Sequence, residues 1–122
     1  MDYRIMIVED DPGIASAVVD CMAQWGLQAE SISDFRQVME AFARIQPHLV
    51  LMDISLPFMN GYHWCSEIRK VSSVPVIFIS SASDNMNIIM AVNMGGDDFI
   101  AKPFDSGVLV AKAQALLRNG ND

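Results

Sequence analysis

His48-Leu-Val-Leu-Met52-Asp53 is an unbroken apolar run that ends on a carboxylate. Three other stretches share its design. Arg4-Ile-Met-Ile-Val8 runs into Glu9-Asp10-Asp11, Val74-Pro-Val-Ile-Phe-Ile79 into Ser80-Ser81, and Asp98-Phe-Ile-Ala101 into Lys102-Pro103. Apolar runs of this length, separated by amphipathic stretches of ten or more residues, read as strands buried on both faces of a parallel sheet. In open α/β sheets, ligands bind outside the carboxyl ends of the strands. Four strands therefore deliver carboxylates, a hydroxyl and an ammonium to one rim.

Between the strands the period becomes helical. From Pro12 to Trp25, the residues Ile14, Val18, Cys21, Met22 and Trp25 share a face, with Pro12 at the start and Gly26 past the end. Leu27–Ile32 reads as a short second strand. Asp34 is placed to cap a helix carrying Phe35, Val38, Met39 and Phe42, and Pro47 marks its exit. Gly61–Val71 sets Trp64, Cys65 and Ile68 on one stripe. Asp84 or Asn85 opens a fourth helix stopped by Gly95-Gly96, and Asp105 or Ser106 caps a fifth that ends near Arg118. The order βαβαβαβαβα with right-handed crossovers gives a doubly wound α/β sandwich with helices on both faces. Residues 119–122 are polar and contain Gly120, so they read as a tail or the start of a linker.

Composition narrows the function. A chain of 122 residues with 52 % apolar and 19 % charged residues is one compact domain with a proper core. Its apolar runs fall short of the roughly 18 residues that a membrane span needs. A strand that begins almost at the N-terminus leaves no room for a secretory signal. Cys21 and Cys65 lie in helical stretches without framework spacing, and read as reduced thiols in a cytoplasmic protein. A net charge of −7 is the wrong sign for direct contact with nucleic acid.

At the rim, Glu9, Asp10 and Asp53 converge from neighbouring strands. Close carboxylates repel and raise some of their own pKa values, a conflict that a hard divalent cation resolves. Oxygen ligands with open positions suit Mg²⁺. A carboxylate can take a phosphoryl group as an aspartyl phosphate, and the transferred oxygens then need positive charge and donors. Lys102 and Ser80 are suited to supply them. Each feature alone has a plainer reading: acidic groups at a helix start, a turn aspartate, a capping serine, a loop Lys-Pro. It is their joint occurrence in strand order that points to chemistry.

The motifs Ile7-Val-Glu-Asp-Asp11, Leu51-Met-Asp-Ile-Ser-Leu-Pro57 with Gly61, Ile79-Ser-Ser81 and Lys102-Pro-Phe104 resemble the receiver domain of bacterial two-component response regulators over nearly the whole chain. The resemblance implies a flavodoxin-like sheet of order 2-1-3-4-5 with five helices, and a receiver domain over residues 1–118. It implies Asp53 as phosphoacceptor for a sensor histidine kinase and Asp10 as direct Mg²⁺ ligand. Glu9 would be a ligand through water, and the Ser55 carbonyl a further ligand. Ser80 would be the switch hydroxyl, Phe99 the aromatic switch and Lys102 the partner of the phosphoryl oxygens, with a cis peptide before Pro103. Gly95-Gly-Asp-Asp-Phe99 is most similar to the OmpR/PhoB subfamily. That subfamily implies a homodimer on phosphorylation, formed through the fourth helix, fifth strand and fifth helix, and DNA binding only through an absent C-terminal domain.

On the dimer face, Asp98 and Lys112 match a subfamily ion pair, whereas Ile88 and Val108 replace another by apolar residues. The segment Met86–Met94 is apolar around nearly its whole circumference, unlike a helix with one solvent face. Ile88 and Val108 are expected to form a hydrophobic partner surface. Ser55 and Ala82 are too small to orient a hydrolytic water strongly, which leaves the phosphoryl lifetime to shielding and to partner proteins. Rival readings fare worse. A haloacid dehalogenase-type phosphohydrolase wants a second Asp at position 55, where this chain has Ser, and a nucleotide- or flavin-binding flavodoxin would not place Glu9-Asp10-Asp11 against a phosphate. A single-domain regulator or a phosphate-independent pseudo-receiver, acting by docking, is the alternative. His48 and His63 are given no catalytic role.

Overall fold

The computed structural model describes residues 2–81 and 93–120. Within them the order is β1 (Arg4–Val8), α1 (Pro12–Gln24), β2 (Gln28–Ser31), α2 (Val38–Ile45), β3 (Leu49–Asp53), α3 (Gly61–Arg69), β4 (Val76–Ser80), β5 (Asp98–Ala101) and α4 (Ser106–Gly120). All strand pairs are parallel, and the sheet order is β2-β1-β3-β4-β5. This is the predicted flavodoxin-like arrangement, with four helices among the described residues. The helix expected from Asp84 or Asn85, its Met86–Met94 stripe and Ile88 and Ala82 fall largely or wholly outside them.

Alternation along each strand divides the core in two. Met6, Val8, Val50, Met52, Val76 and Phe78 face α2 and α3, where Val38, Ile45, Trp64, Cys65 and Ile68 meet them. Ile5, Ile7, Leu49, Leu51, Ile77 and Ile79 face α1 and α4, against Val18, Met22, Leu109, Ala113 and Leu117. Every residue of β3 and β4 is buried, as continuous apolar runs demand. Each fully buried Leu, Ile or Val contributes about 1.5–3 kcal/mol, so the central strands hold a rigid rim. Among the described residues, Cys65 is buried, Cys21 is half-buried, and both are free thiols.

Two local expectations are corrected. Trp25 does not join the buried face of α1. It is the C-cap and 59 % exposed, because the chain turns away at Gly26 with φ of 75°. Asp34 does not cap α2, which begins at Val38 behind Gln37. Asp34 instead closes a turn, its Oδ1 accepting from Arg36 N at 3.0 Å and its carbonyl from Gln37 N at 3.2 Å. Phe35 therefore packs on the core from a loop.

Candidate functional site

The carboxyl ends of β1, β3, β4 and β5 meet at one end of the sheet. Asp53 is the last residue of β3 and is buried, at 2 % exposure. Glu9 follows β1, also buried at 2 %, and Asp10 beside it is exposed. Carboxylate oxygens of Glu9, Asp10 and Asp53 lie within 4.8 Å of one another. Asp11 belongs to the helix instead: its Oδ1 accepts from Gly13 N at 2.9 Å and Ile14 N at 3.2 Å, the N-cap of α1. The acidic triplet is thus divided between site and cap.

Lys102, just past β5, reaches the pair of buried acids. Its Nζ is 2.6 Å from Glu9 Oε1 and 3.3 Å from Asp53 Oδ2. The shorter contact to Glu9 was not legible in the sequence, where the family resemblance implied only a pairing of the lysine with phosphoryl oxygens. A backbone hydrogen bond holds Lys102, whose N–H donates to Ser80 O at 2.7 Å, and the peptide bond from Lys102 to Pro103 is cis. Ser80 closes β4 and is buried, at 3 % exposure. Ser55 is exposed, and its N–H donates to Asp53 Oδ1 at 3.3 Å. Gly61 holds the far end of this loop close to Asp53: a Cβ there would run into the Asp53 carbonyl.

Burial strongly disfavours a charged Asp53, and the hydrogen bond and negative charge of Glu9 add to it. Lys102 opposes them only in part, and the carboxyl is pushed up to about 7. Glu9 goes the other way. Burial would raise it too, but hydrogen bonds with Asp53, Lys102 and the Asp11 N–H hold it below the ordinary range. Lys102 rises despite its burial, held protonated by Glu9 and Asp53. The two carboxyl groups thus move in opposite directions beside one ammonium, Asp53 upward and Glu9 downward. Three carboxylates close together, two of them buried, with oxygen as the only donor type, form a set that fits a hard divalent cation such as Mg²⁺.

The other predicted residues lie on the neighbouring edge. Phe99 of β5 is half-buried against the core beside its register partner Phe78. Lys112 Nζ pairs with Asp98 Oδ2 at 2.9 Å, the expected ion pair, and Val108 is 47 % exposed. His48 is structural, its Nδ1 accepting from Arg4 N at 3.0 Å, and the His63 ring packs edge-on against Trp64. A larger cavity of about 760 Å³ beside β2, bordered by Arg4, Leu27 and Arg44, includes none of the site residues. No helix among the described residues is long and apolar enough to cross a membrane.

Comparison with known proteins agrees with this geometry. Residues 5–114 match the family of the response regulator receiver domain. The chain is 44 % identical over 116 residues to the sensory transduction protein BceR of Halalkalibacterium halodurans, covering 95 % of this chain and 50 % of that protein. It is 38 % identical over 115 residues to the response regulator protein GraR of Staphylococcus aureus, covering 94 % and 51 %. It thus spans about half the length of these curated relatives. The N-terminal domain of the nisin resistance regulator NsrR, a lantibiotic response regulator, superposes with a TM-score of 0.90 at 48 % identity, over 96 % of this chain and 99 % of that one. The BeF3-activated receiver domain of Klebsiella pneumoniae RstA superposes with a TM-score of 0.87 at 30 % identity, over 94 % and 98 %. Fold, acidic rim and sequence agree: this chain belongs to the response regulator receiver domain family and is most like its OmpR/PhoB type.

Proposed function

We propose that this chain is a phosphorylation switch in which Asp53 accepts a phosphoryl group from a sensor histidine kinase. The observation that carries the reading is the cluster of Glu9, Asp10 and Asp53 within 4.8 Å, with the Lys102 ammonium against two of them. Mg²⁺ held by Glu9, Asp10, Asp53 and the Ser55 carbonyl would supply the charge that balances the incoming phosphoryl oxygens. An ionised Asp53 oxygen forms the new O–P bond as the P–N bond to the kinase histidine breaks, and the departing imidazole keeps the electron pair. Because burial and Glu9 raise its pKa to about 7, Asp53 must be in its ionised form for this step. Lys102 then faces a carboxylate that has become an acyl phosphate and turns its ammonium to the phosphoryl oxygens. Ser80, one strand away, donates its hydroxyl to the same oxygens, and Phe99 follows it inward as a population shift between two states. The chain assists its own modification and hydrolysis without being a turnover enzyme.

The output runs through the edge that holds Asp98, Val108 and Lys112. Phosphorylation promotes a homodimer there, with Ile88 as the second apolar contact, and DNA is bound through a C-terminal domain outside this chain, in the cytoplasm. The chain's span of about half its curated relatives is compatible with such a second domain. Beryllofluoride with Mg²⁺ mimics the aspartyl phosphate, so sedimentation should show monomers becoming dimers on its addition. Val108→Glu, at an exposed position, should bind the mimic and stay monomeric. A variant that dimerises as before would remove this face from the proposal.

A further inference from the structure

Two loops rise on either side of the strand that delivers Glu9 and Asp10, since β1 lies between β2 and β3 in the sheet. The loop leaving Asp53 is closed at its base, where Gly61 N donates to Ile54 O at 2.9 Å. At its tip stands Phe58, 67 % exposed and with a left-handed φ of 71°. Such a φ is uncommon for a residue with a bulky side chain and costs free energy. The loop leaving β2 lines a cavity of about 470 Å³ together with Glu9 and Asp10, through Ser31, Ser33 and Phe35. The next residue, Arg36, sets its guanidinium 5.1 Å from the centre of the Phe58 ring. Asp34 steadies it, its Oδ1 accepting from Arg36 N at 3.0 Å and lying 3.6 Å from Nε.

Neither side chain belongs to either core cluster, so burial does not account for the position of this exposed ring with its left-handed φ. The loop whose tip it forms also contains Ser55, whose N–H donates to Asp53 Oδ1. We propose that Arg36 and Phe58 form a clasp across the carboxyl end of β1, holding the loop that leaves Asp53 and so limiting the access of water and phosphoryl donors to that carboxylate. The clasp rests on the phosphoacceptor reading, and both residues act as positioning residues through the loop. It also answers the smallness of Ser55: shielding comes from the tip of the loop, not from the residue beside the acceptor.

The test follows phosphorylation by phosphoramidate and the later loss of the phosphoryl group in wild type, Arg36→Ala, Phe58→Gly and the double variant. An exposed cation–π contact is modest, so each single variant should speed both steps by about threefold. The double variant should go no faster than either. Phe58→Gly should also raise the Tm, because glycine suits a positive φ, so general loosening cannot mimic the result. Phe58→Trp should keep wild-type rates. Single variants with wild-type rates, on a chain that does become phosphorylated, would overturn the clasp and leave the phosphoacceptor reading intact. A wild-type chain that takes no phosphoryl group would overturn both.

Discussion

Asp53 and Glu9 differ in the direction their pKa values move although they share a site, and the difference has a measurable consequence. Asp53, buried and beside a second acid, is pushed up to about 7, whereas Glu9 is held down by Lys102 and the hydrogen-bonded Asp53. For Asp53 the sign follows from linkage. Between the ordinary value of 3.8 and about 7, the folded chain holds a proton that the unfolded chain has released. The metal-free protein therefore loses stability as pH rises through that window. Mg²⁺ binding must expel the same proton, so its affinity should rise by about tenfold from pH 6 to pH 8 and level off above. Calorimetric titration at the two pH values checks this, with Asp53→Asn expected to remove most of the dependence. Equal affinity at both values would mean that Asp53 is already ionised in the free protein.

Among the elements, the loop from Asp53 to Gly61 bears on the position of the proposed acceptor. Gly61 is buried and a Cβ there would run into the Asp53 carbonyl, so Gly61→Ala forces backbone apart from backbone. The expected cost is about 3 kcal/mol in denaturant unfolding, at the upper end of overpacking, with impaired Mg²⁺ binding beside it. The strands and the polar residue ending each of them were legible in the sequence because buried parallel strands leave continuous apolar runs. Helix ends were less so. Trp25 fits the helical period of α1 yet sits where the helix stops, and periodicity does not encode where a chain turns. Asp34 has the chemistry of a cap, but its carboxylate and carbonyl close a local turn on Arg36 and Gln37, so α2 starts later. The Lys102–Glu9 contact was hidden because it depends on how far a flexible side chain reaches between two acids. The Arg36–Phe58 contact joins two loops, for which no sequence period exists.

Over the whole molecule, the five-stranded sheet works as a rigid plate that presents four strand ends at one rim. The two central strands that carry Asp53 and Ser80 are buried throughout, so the proposed switch would act through side chains and loops at the rim and through the edge beside β5. The Asp98–Lys112 pair ties β5 to α4 on that edge, the one to which the proposed switch assigns Phe99 and Val108. Everything proposed for this rim depends on Asp53 being its phosphoryl acceptor. The direct measurement is intact mass after incubation with Mg²⁺ and a small acyl phosphate, beside a chelator control and Asp53→Asn. A single Mg²⁺-dependent phosphoryl adduct, lost with the chelator and in Asp53→Asn, is the predicted result. An adduct that persists in Asp53→Asn would contradict the claim and send the search to another nucleophile.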